Sequence, residues 1–414
     1  MIEVDTVKGF TDYLPPESQK RQAIKRIVEK FFKLYGFIPI ETPVIEVEEL
    51  MKPDTMPNEQ EDEAVSDRFR LKDRAGRNLG LRYEFTFQLA RIMKMNPNIK
   101  LPLRRYQIGD VFRDEPLRAG RTRQFTQCDI DIVGDSTINA DAECIAVISD
   151  IFRELGIEFE VNVNNRRLID AVVESVEMSS KKQVMREIDK IEKIGEDMVK
   201  LNLKKYGDAN QVVTLFKLLE KDMKFFKNNA FDGAEELISL AEKLKCYKID
   251  MKFNPRLVRG FSYYTGNIFE IIIKGTKTAL CGGGRYDKSV GKYINREIPA
   301  VGISFSLEAI MGLCPEQISK LQIEPIAKVA VISIGKDKET LQLSKALRNS
   351  DVSCITFFEK IGKALEFANA YEIPFAIFIG QDEVDKKKFK IKNMKSGEEK
   401  LLAEKSIISM LSKL

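Results

Sequence analysis

The sequence predicts an α+β protein of more than one domain, in which an antiparallel sheet with flanking helices is interrupted by a helical insert and followed by a small α/β domain. Three observations carry this. Two strand–loop–strand units stand early in the chain, over 68–83 and 104–133. A lysine- and glutamate-rich stretch with helix-period apolar positions and almost no turn residues runs from 167 to 247. Beyond Pro325, short buried-strand-like runs alternate with helix-period segments, the pattern of a partly parallel sheet. At 414 residues the chain is too long for one ordinary core. The expected division is therefore 1–166 for the first part of the sheet domain, 167–248 for the helical insert, 249–322 for the second part of the sheet domain, and 323–414 for the α/β domain.

Each element has its own signal. Over 17–35, apolar residues recur at Ala23, Ile24, Ile27, Val28, Phe31 and Leu34, a helix-period stripe that stops at Gly36. Phe37-Ile-Pro-Ile-Glu-Thr-Pro43 holds two prolines, which confine an extended segment to an edge or an interface. The acidic stretch 58–63 reads as a mobile loop. In the first strand–loop–strand unit, Asp73-Arg-Ala-Gly76 supplies a turn with a glycine available for positive φ. In the second, the loop is centred on 116–123. A helix follows through Ala142, Ile145, Ile148, Ile151, Phe152 and Leu155, and alternation at Ile157, Phe159, Val161 and Val163 predicts a strand. Strand patterns resume at Met251 and include 267–273 and 300–305. In the last part, 329–334, 352–357 and 375–379 are the buried runs.

Composition removes whole classes of chemistry. An apolar fraction of 43% with 31% charged residues fits a folded protein and not a disordered, collagenous or membrane chain. A formal charge of +4 leaves any nucleic-acid binding to local basic faces. The six cysteines are scattered singly, so neither a metal site nor a redox pair is expected. No apolar run is long enough to span a bilayer and no cleavable leader is evident, which predicts a cytoplasmic protein. The chain contains no histidine, which excludes Ser-His-Asp and Cys-His nucleophiles and imidazole-ligated zinc. The chemistry must run on arginine, carboxylate, tyrosine, amide or a bound cation, as phosphate chemistry can.

The strongest constellation is Arg105-Tyr-Gln-Ile-Gly-Asp-Val-Phe-Arg-Asp-Glu115, then Gly120-Arg-Thr-Arg-Gln-Phe-Thr-Gln127, then Asp129-Ile-Asp-Ile-Val-Gly134. In an antiparallel hairpin, period-2 geometry aims Arg113, Glu115, Phe125, Gln127 and Asp131 at one face, while the loop carries Arg121 and Arg123. Guanidinium forks match phosphate oxygens, and an aromatic ring can stack on a purine. A solvated hairpin with surface ion pairs is the bland reading of such mixed charge. A second segment, Arg256-Leu-Val-Arg-Gly-Phe-Ser-Tyr-Tyr-Thr-Gly266, combines a fixed positive charge with paired phenols that can close an apolar box and offer hydroxyls. Two more segments stand out, Leu81-Arg-Tyr-Glu-Phe-Thr86 and Cys281-Gly-Gly-Gly-Arg-Tyr-Asp287. The glycines of the latter permit close backbone approach to a ligand or mark a bulge or turn.

The first constellation resembles motif 2 of the class II aminoacyl-tRNA synthetases, in the histidyl form Phe-Arg-x-Glu, Gly-Arg-x-Arg-x-Phe, Gln and Asp/Glu-x-x-Gly. The second resembles the histidine-specific Leu-Val-Arg-Gly-Leu-x-Tyr-Tyr, and the other two resemble the family's Leu-Arg-x-Glu/Asp-x-Thr and Gly-Gly-Arg-Tyr-Asp runs. The resemblance implies that Arg113 holds the α-phosphate of ATP, Phe125 stacks on adenine, and Arg121 and Arg123 face the outer phosphates or the acceptor end of the RNA. It implies catalytic roles for Arg113 and Arg259, with Glu115 also in the ATP site. Glu84 would pair with the substrate ammonium, assisted by Gln127, and Asp131 and Tyr264 would bracket the imidazole. Phe85, Thr86, Tyr263 and Tyr286 would complete the histidine site. Val7-Lys-Gly-Phe-Thr-Asp12 and Tyr35-Gly-Phe with Pro43 resemble the N-terminal segment and motif 1, which forms the dimer interface. The last ninety or so residues resemble an anticodon-binding domain, where Ile391-Lys-Asn-Met394 fits a late strand. Lys386, Lys387 and Lys388 there could meet phosphates or form a solvated turn.

The implied activity is ATP-dependent formation of histidyl-adenylate and transfer of histidine to the 3′ end of tRNA(His), by a homodimer using ATP with Mg2+. Two departures bear on it. Where the family commonly reads Gly-x-Glu-Arg, this chain has Ser306-Leu-Glu-Ala309, so the arginine that clamps ATP is absent. Arg259 and Arg123, with magnesium, are then expected to carry more of the phosphate charge, or activation to be weak. Leu117-Arg118 also replaces a common proline-glutamine. The main rival is a paralogue acting as a regulatory subunit of ATP phosphoribosyltransferase, and a synthetase for another amino acid is a third reading.

Overall fold

The computed structural model describes residues 4–51, 67–117, 122–259 and 263–413. The loop expected over 58–63 and the arginine at 121 lie outside the described residues. The chain divides into two compact units, 1–321 and 322–414.

The first unit opens with helix α1 (Glu17–Leu34) and strands β1 (Ile38–Pro39), β2 (Ile45–Val47), β3 (Arg70–Lys72) and β4 (Asn78–Leu81). Helix α2 (Phe87–Met95) leads to the hairpin β5 (Leu103–Phe112) and β6 (Gln124–Val133), then helix α3 (Ile138–Glu154) and strand β7 (Phe159–Asn165). Seven helices among the described residues follow: α4 (Arg166–Ser175), α5 (Lys181–Asp189), α6 (Ile191–Ile194), α7 (Glu196–Leu203), α8 (Ala209–Leu218), α9 (Met223–Asn228) and α10 (Ala234–Cys246). Strands β8 (Met251–Phe253), β9 (Asn267–Ile273), β10 (Ala279–Arg285) and β11 (Ala300–Ser306) and helix α11 (Leu307–Leu313) return the chain to the sheet.

Eight strands form the main sheet in the order β1-β5-β6-β11-β10-β9-β7-β8. Its interior pairings are antiparallel, and only the edge pairs β1/β5 and β7/β8 run parallel. The proline-bearing segment after α1 is an edge strand, where a missing backbone donor costs no ladder bond. The turn at 73–76 joins β3 to β4 in a separate three-stranded sheet with β2. Gly76 there has φ +78°, and Asp73 accepts from the Arg77 amide at 2.9 Å.

Helix α1 differs from its sequence pattern in rotation. It buries Arg21, Ile24, Val28 and Phe32, while Leu34 is 68% exposed. The cause is polar: Arg21 pairs with Glu308 at 2.8 Å and donates to Thr126 Oγ1 at 2.9 Å, which turns the helix towards α11 and β6. The seven-helix segment shares one continuous hydrophobic core with α1, α3 and the sheet, running from Ile24 and Phe152 to Leu215 and Leu244. Its entry is fixed locally, because Asn165 ends β7 and caps α4 by accepting from the Arg167 amide at 2.9 Å.

The glycine run 282–284 lies in the interior strand β10, between β9 and β11, with a register irregularity at 279–281. In the second unit the strands Val329–Ser333 (β12), Cys354–Phe357 (β13) and Phe375–Ile379 (β14) pair in parallel, and Phe389–Asn393 (β15) and Glu399–Leu402 (β16) extend the sheet antiparallel. Lys386, Lys387 and Lys388 are exposed at the turn before β15.

Candidate active site

The β5–β6 hairpin sets the site through its register. Arg105 lies opposite Asp131, Gln107 opposite Asp129, Gly109 opposite Gln127 and Val111 opposite Phe125, so these residues share one face. Arg113 follows the end of β5 on the same parity. Its guanidinium sits 4.4 Å from the Tyr83 ring centroid and 4.9 Å from that of Phe125, held between the two rings.

A small inner cavity opens on this face, lined by Glu84, Thr86, Gln127, Asp129, Asp131 and the tyrosines 263, 264 and 286, with Arg113 and Arg259 at its edge. Glu84 stands at the start of α2 and accepts from the Phe87 amide at 2.6 Å, where helix-terminal N–H groups favour negative charge. Burial pushes its carboxyl upward, against the hydrogen bonds from Thr86 and Phe87. Asp131 ion-pairs with Arg105 and accepts from the Tyr286 hydroxyl. Burial raises this carboxyl too, with Arg105 the main opposing influence. Tyr263 lies 4.8 Å from Tyr264 and 5.8 Å from Tyr286, centroid to centroid, and meets Phe87 edge-on, which closes an aromatic box. Gly302 in β11 faces Asp131 so closely that a Cβ there would collide with the carboxylate.

A larger outer cavity, of about 400 Å3, shares Arg113, Gln127, Arg259, Gly282 and Ser304 with the inner one. Glu115 and Phe125 also line it, as do Glu270 and Ala309. Arg259 pairs with Glu270 at 2.8 Å, and its Nε is buried without a hydrogen-bond partner. Gly282 makes that placement possible, since a Cβ would occupy the guanidinium's position. Ala309, in the first turn of α11, presents a methyl group where the family pattern has an arginine.

Two residues expected in the site lie elsewhere. Phe85, 1% exposed, packs against Arg82, whose guanidinium is 4.9 Å from the ring, and lines neither cavity. The chain bends between the end of β4 at Leu81 and the start of α2 at Phe87, and in that bend Glu84 and Thr86 line the inner cavity while Phe85 does not. Arg123 pairs with Asp114 at 3.3 Å and supports the N-terminal segment, its amide donating to the Gly9 carbonyl at 3.0 Å. It too is outside both linings.

Sequence reasoning passed over several groups that the fold brings in. Arg105 and Asp129 sit in the quoted motif at the parity of Arg113 and Asp131, and that parity was the available signal. Asp141 arrives from helix α3 and Glu270 from strand β9, and neither carried a motif signal. Asp141 ion-pairs with Arg285, which also donates to the Asp135 and Thr137 carbonyls at 3.0 and 2.9 Å, fixing the end of the strand that leads into Tyr286. Among the described residues, no cluster of three or more metal-ligating side chains occurs.

The model of the histidyl-tRNA synthetase family matches residues 9–310, and that of an anticodon binding domain matches 328–414. Histidine–tRNA ligase 1 of Bacillus cereus is 38% identical over 419 residues, spanning 96% of this chain and 95% of that one. The crystal structure of histidyl-tRNA synthetase from Nostoc sp. PCC 7120 superposes with a TM-score of 0.85 at 28% identity, covering 100% of both chains. An ATP phosphoribosyltransferase regulatory subunit/histidyl-tRNA synthetase from Bacillus halodurans C superposes with a TM-score of 0.72 at 20% identity over 91% of this chain and 98% of that one, a likeness of fold. The antiparallel sheet with this two-part cavity is that of a class II aminoacyl-tRNA synthetase. The chain belongs to the histidyl-tRNA synthetase family.

Proposed function

We propose that this chain is a histidine–tRNA ligase, which activates histidine with ATP to histidyl-adenylate and transfers the acyl group to the 3′ end of tRNA(His). The observation that carries the reading is the wall shared by the two cavities. Arg113 and Arg259 border both a carboxylate- and phenol-lined chamber and an open one, so one pair of guanidiniums can meet an amino-acid carboxylate and a nucleotide α-phosphate together.

In the first step a carboxylate oxygen of histidine bonds to the α-phosphorus and the bond to the β-phosphate oxygen breaks, releasing pyrophosphate. Negative charge grows on the phosphate oxygens, and Arg113 and Arg259 stabilise it from fixed positions. Holding both reactants against one wall removes most of the entropic cost of their encounter. Phe125 offers its ring to adenine. Glu84 and Gln127 receive the ammonium group, while Asp131, Tyr264, Tyr263 and Tyr286 enclose the imidazole, with Thr86 at the rim. In the second step a hydroxyl of the terminal ribose attacks the carbonyl carbon and AMP departs. No side-chain nucleophile is required. Mg2+ belongs with ATP as part of the substrate.

The same reading assigns 1–166 and 249–322 to catalysis, 167–248 to the helical insert and 323–414 to the anticodon. A homodimer fits the exposed apolar side chains gathered early in the chain, Leu14, Leu34, Ile38, Val44, Ile45 and Val47, each more than 40% exposed. Cytoplasmic residence fits six free cysteines, and no helix among the described residues is long and apolar enough to cross a membrane.

Histidine-dependent exchange between ATP and pyrophosphate tests the activity. Exchange that requires histidine and rejects other amino acids is the expected result. Its absence in well-folded protein would return the regulatory-subunit reading, which the anticodon-binding match at 328–414 disfavours.

A further inference from the structure

The inner cavity contains more charge than the roles above use. Asp129 lines it beside Asp131. Across the hairpin, Arg105 is 0% exposed and its guanidinium ion-pairs with Asp131. The Nη2 that makes this ion pair also donates to the Phe85 carbonyl at 3.4 Å, while Nε and Nη1 are buried without hydrogen-bond partners. A guanidinium so placed is costly to bury unless its charge is matched. The match comes from the carboxylates around it, Glu84, Asp129 and Asp131.

Asp129 also acts on its neighbour. Gln127 donates from Nε2 to Asp129 Oδ1 at 2.7 Å, while Gln127 Oε1 is buried without a partner. An ionised carboxylate only accepts, so it holds the amide nitrogen and leaves the amide oxygen to the cavity. That polarity matters, because an ammonium group needs acceptors and is repelled by an NH2 group.

We propose that Asp129 and Arg105 are positioning residues of the histidine pocket: Asp129 fixes the Gln127 amide with Oε1 presented to the substrate ammonium, and Arg105 supplies the buried positive charge that lets Asp129 and Asp131 share one cavity. The inference rests on the inner cavity being the amino-acid site. Substrate contact belongs to Gln127 and Asp131, and Arg105 acts through the two aspartates.

The sign of the pH effect follows from the groups that face the cluster. Arg105 comes from β5, Asp129 and Asp131 from β6, Glu84 from the start of α2, Cys144 from α3, Tyr286 from the end of β10, and Arg259, Tyr263 and Tyr264 from the segment after β8. Burial pushes the Asp129 carboxyl well up, Arg105 pulls it back, and Asp131 raises it further. Once protonated, Asp129 becomes a donor, and the Gln127 amide can turn its NH2 group towards the substrate. Histidine binding therefore weakens as pH falls, and without Arg105 it weakens at higher pH.

The test is the KM for histidine in ATP–pyrophosphate exchange by the full chain between pH 6 and 9, with thermal melting as the folding control. Wild-type exchange that depends on histidine establishes the pocket, and the variants then test the inference separately. Asp129→Asn, a mimic of the protonated state, is expected to raise the histidine KM by about tenfold with the ATP KM within about twofold. Arg105→Met is expected to displace the acid limb of the KM profile upward by about one pH unit or more, and Arg105→Lys to restore it. An Asp129→Asn enzyme with unchanged histidine KM overturns the role of Asp129. An Arg105→Met profile parallel to wild type overturns the role of Arg105. If Arg105→Met does not fold, Arg105→Lys decides for that residue: a wild-type acid limb supports the charge role, and a lost or displaced limb at full stability overturns it.

Discussion

The inner and outer cavities meet at Arg113, Gln127 and Arg259 yet are built on opposite principles. The inner one is over-determined. Asp131 is held by Arg105 and Tyr286, Glu84 by the first amides of α2, Gln127 by Asp129, and the wall behind them by the buried Asp141–Arg285 pair. The outer one is wide and held at few points: Arg113 lies between two rings, Arg259 leans on Glu270, and Ala309 contributes only a methyl group. The difference teaches how the two substrates are chosen. A small polar ring must be told from other side chains by fixed donors and acceptors, because leaving them unpaired is what rejects the wrong ligand. A triphosphate needs mainly positive charge at the point where the reaction develops negative charge.

Replacing Arg259, one of the two arginines common to both cavities, should have the largest effect. Arg259→Ala is expected to lower exchange by about a hundredfold to a thousandfold, the range seen when one oriented donor to a developing charge is removed. Its melting temperature should stay close to wild type, since the lost pair with Glu270 is partly exposed. Near-normal exchange would remove Arg259 from the mechanism.

Two glycines then separate the cavities. A Cβ at Gly282 meets the Arg259 guanidinium, whereas one at Gly302 meets the Asp131 carboxylate. Gly282→Ala should lower kcat by about a hundredfold through misplacement of Arg259. Gly302→Ala should act chiefly on the histidine KM, raising it by about tenfold or more, because the displaced group is the one assigned to the imidazole. Steady-state exchange with each substrate varied in turn distinguishes them. If both variants shifted the same constant, the two chambers would not be functionally distinct.

These glycines also mark the limit of what the chain revealed before it was folded. The hairpin over 104–133, its inward face and the Tyr263–Tyr264 pair were legible because period 2 and local motif spacing are properties of short segments. The glycine run was legible only as an alternative between close approach and a bulge or turn. What makes it an interior strand is simultaneous pairing with β9 on one side and β11 on the other, which the run itself does not encode. Arg105 and Asp129 stood in the quoted motif at the correct parity and went unread, because charged residues on a strand look solvated until the opposite face is seen to be covered. Arg123 shows the converse: its motif position was clear, but its side chain lies against the N-terminal segment. The rotation of α1 was similarly hidden, since Arg21 is buried where Glu308, Thr126 and the Tyr13 ring meet it, all from other parts of the chain.

A smaller effect is expected on the adenine side. Phe125 lines the outer cavity beside Arg113, and loss of stacking on a base costs about 1–3 kcal/mol. Phe125→Ala should therefore raise the ATP KM by roughly tenfold and leave the histidine KM near wild type. A larger change in the histidine constant would mean that the ring supports the inner wall instead.

The smallest expected change runs the other way and probes the outer cavity at Ala309. Ala309 faces that cavity from the first turn of α11, with its amide donating to Ser306 Oγ at 2.9 Å. An arginine introduced there gains a charge-assisted contact with phosphate of about 1.5–3 kcal/mol. It loses up to about 2 kcal/mol of side-chain freedom, and a cation at a helix N-terminus is disfavoured by about 0.3–1 kcal/mol. The balance is small and favourable at best, on the order of 1 kcal/mol, so Ala309→Arg should lower the ATP KM by roughly fivefold. The histidine KM should not move, since Ala309 lies outside the inner lining. An unchanged ATP KM in a stable variant would show that Arg113 and Arg259 already neutralise the nucleotide, and that the openness at 309 costs this enzyme nothing in affinity.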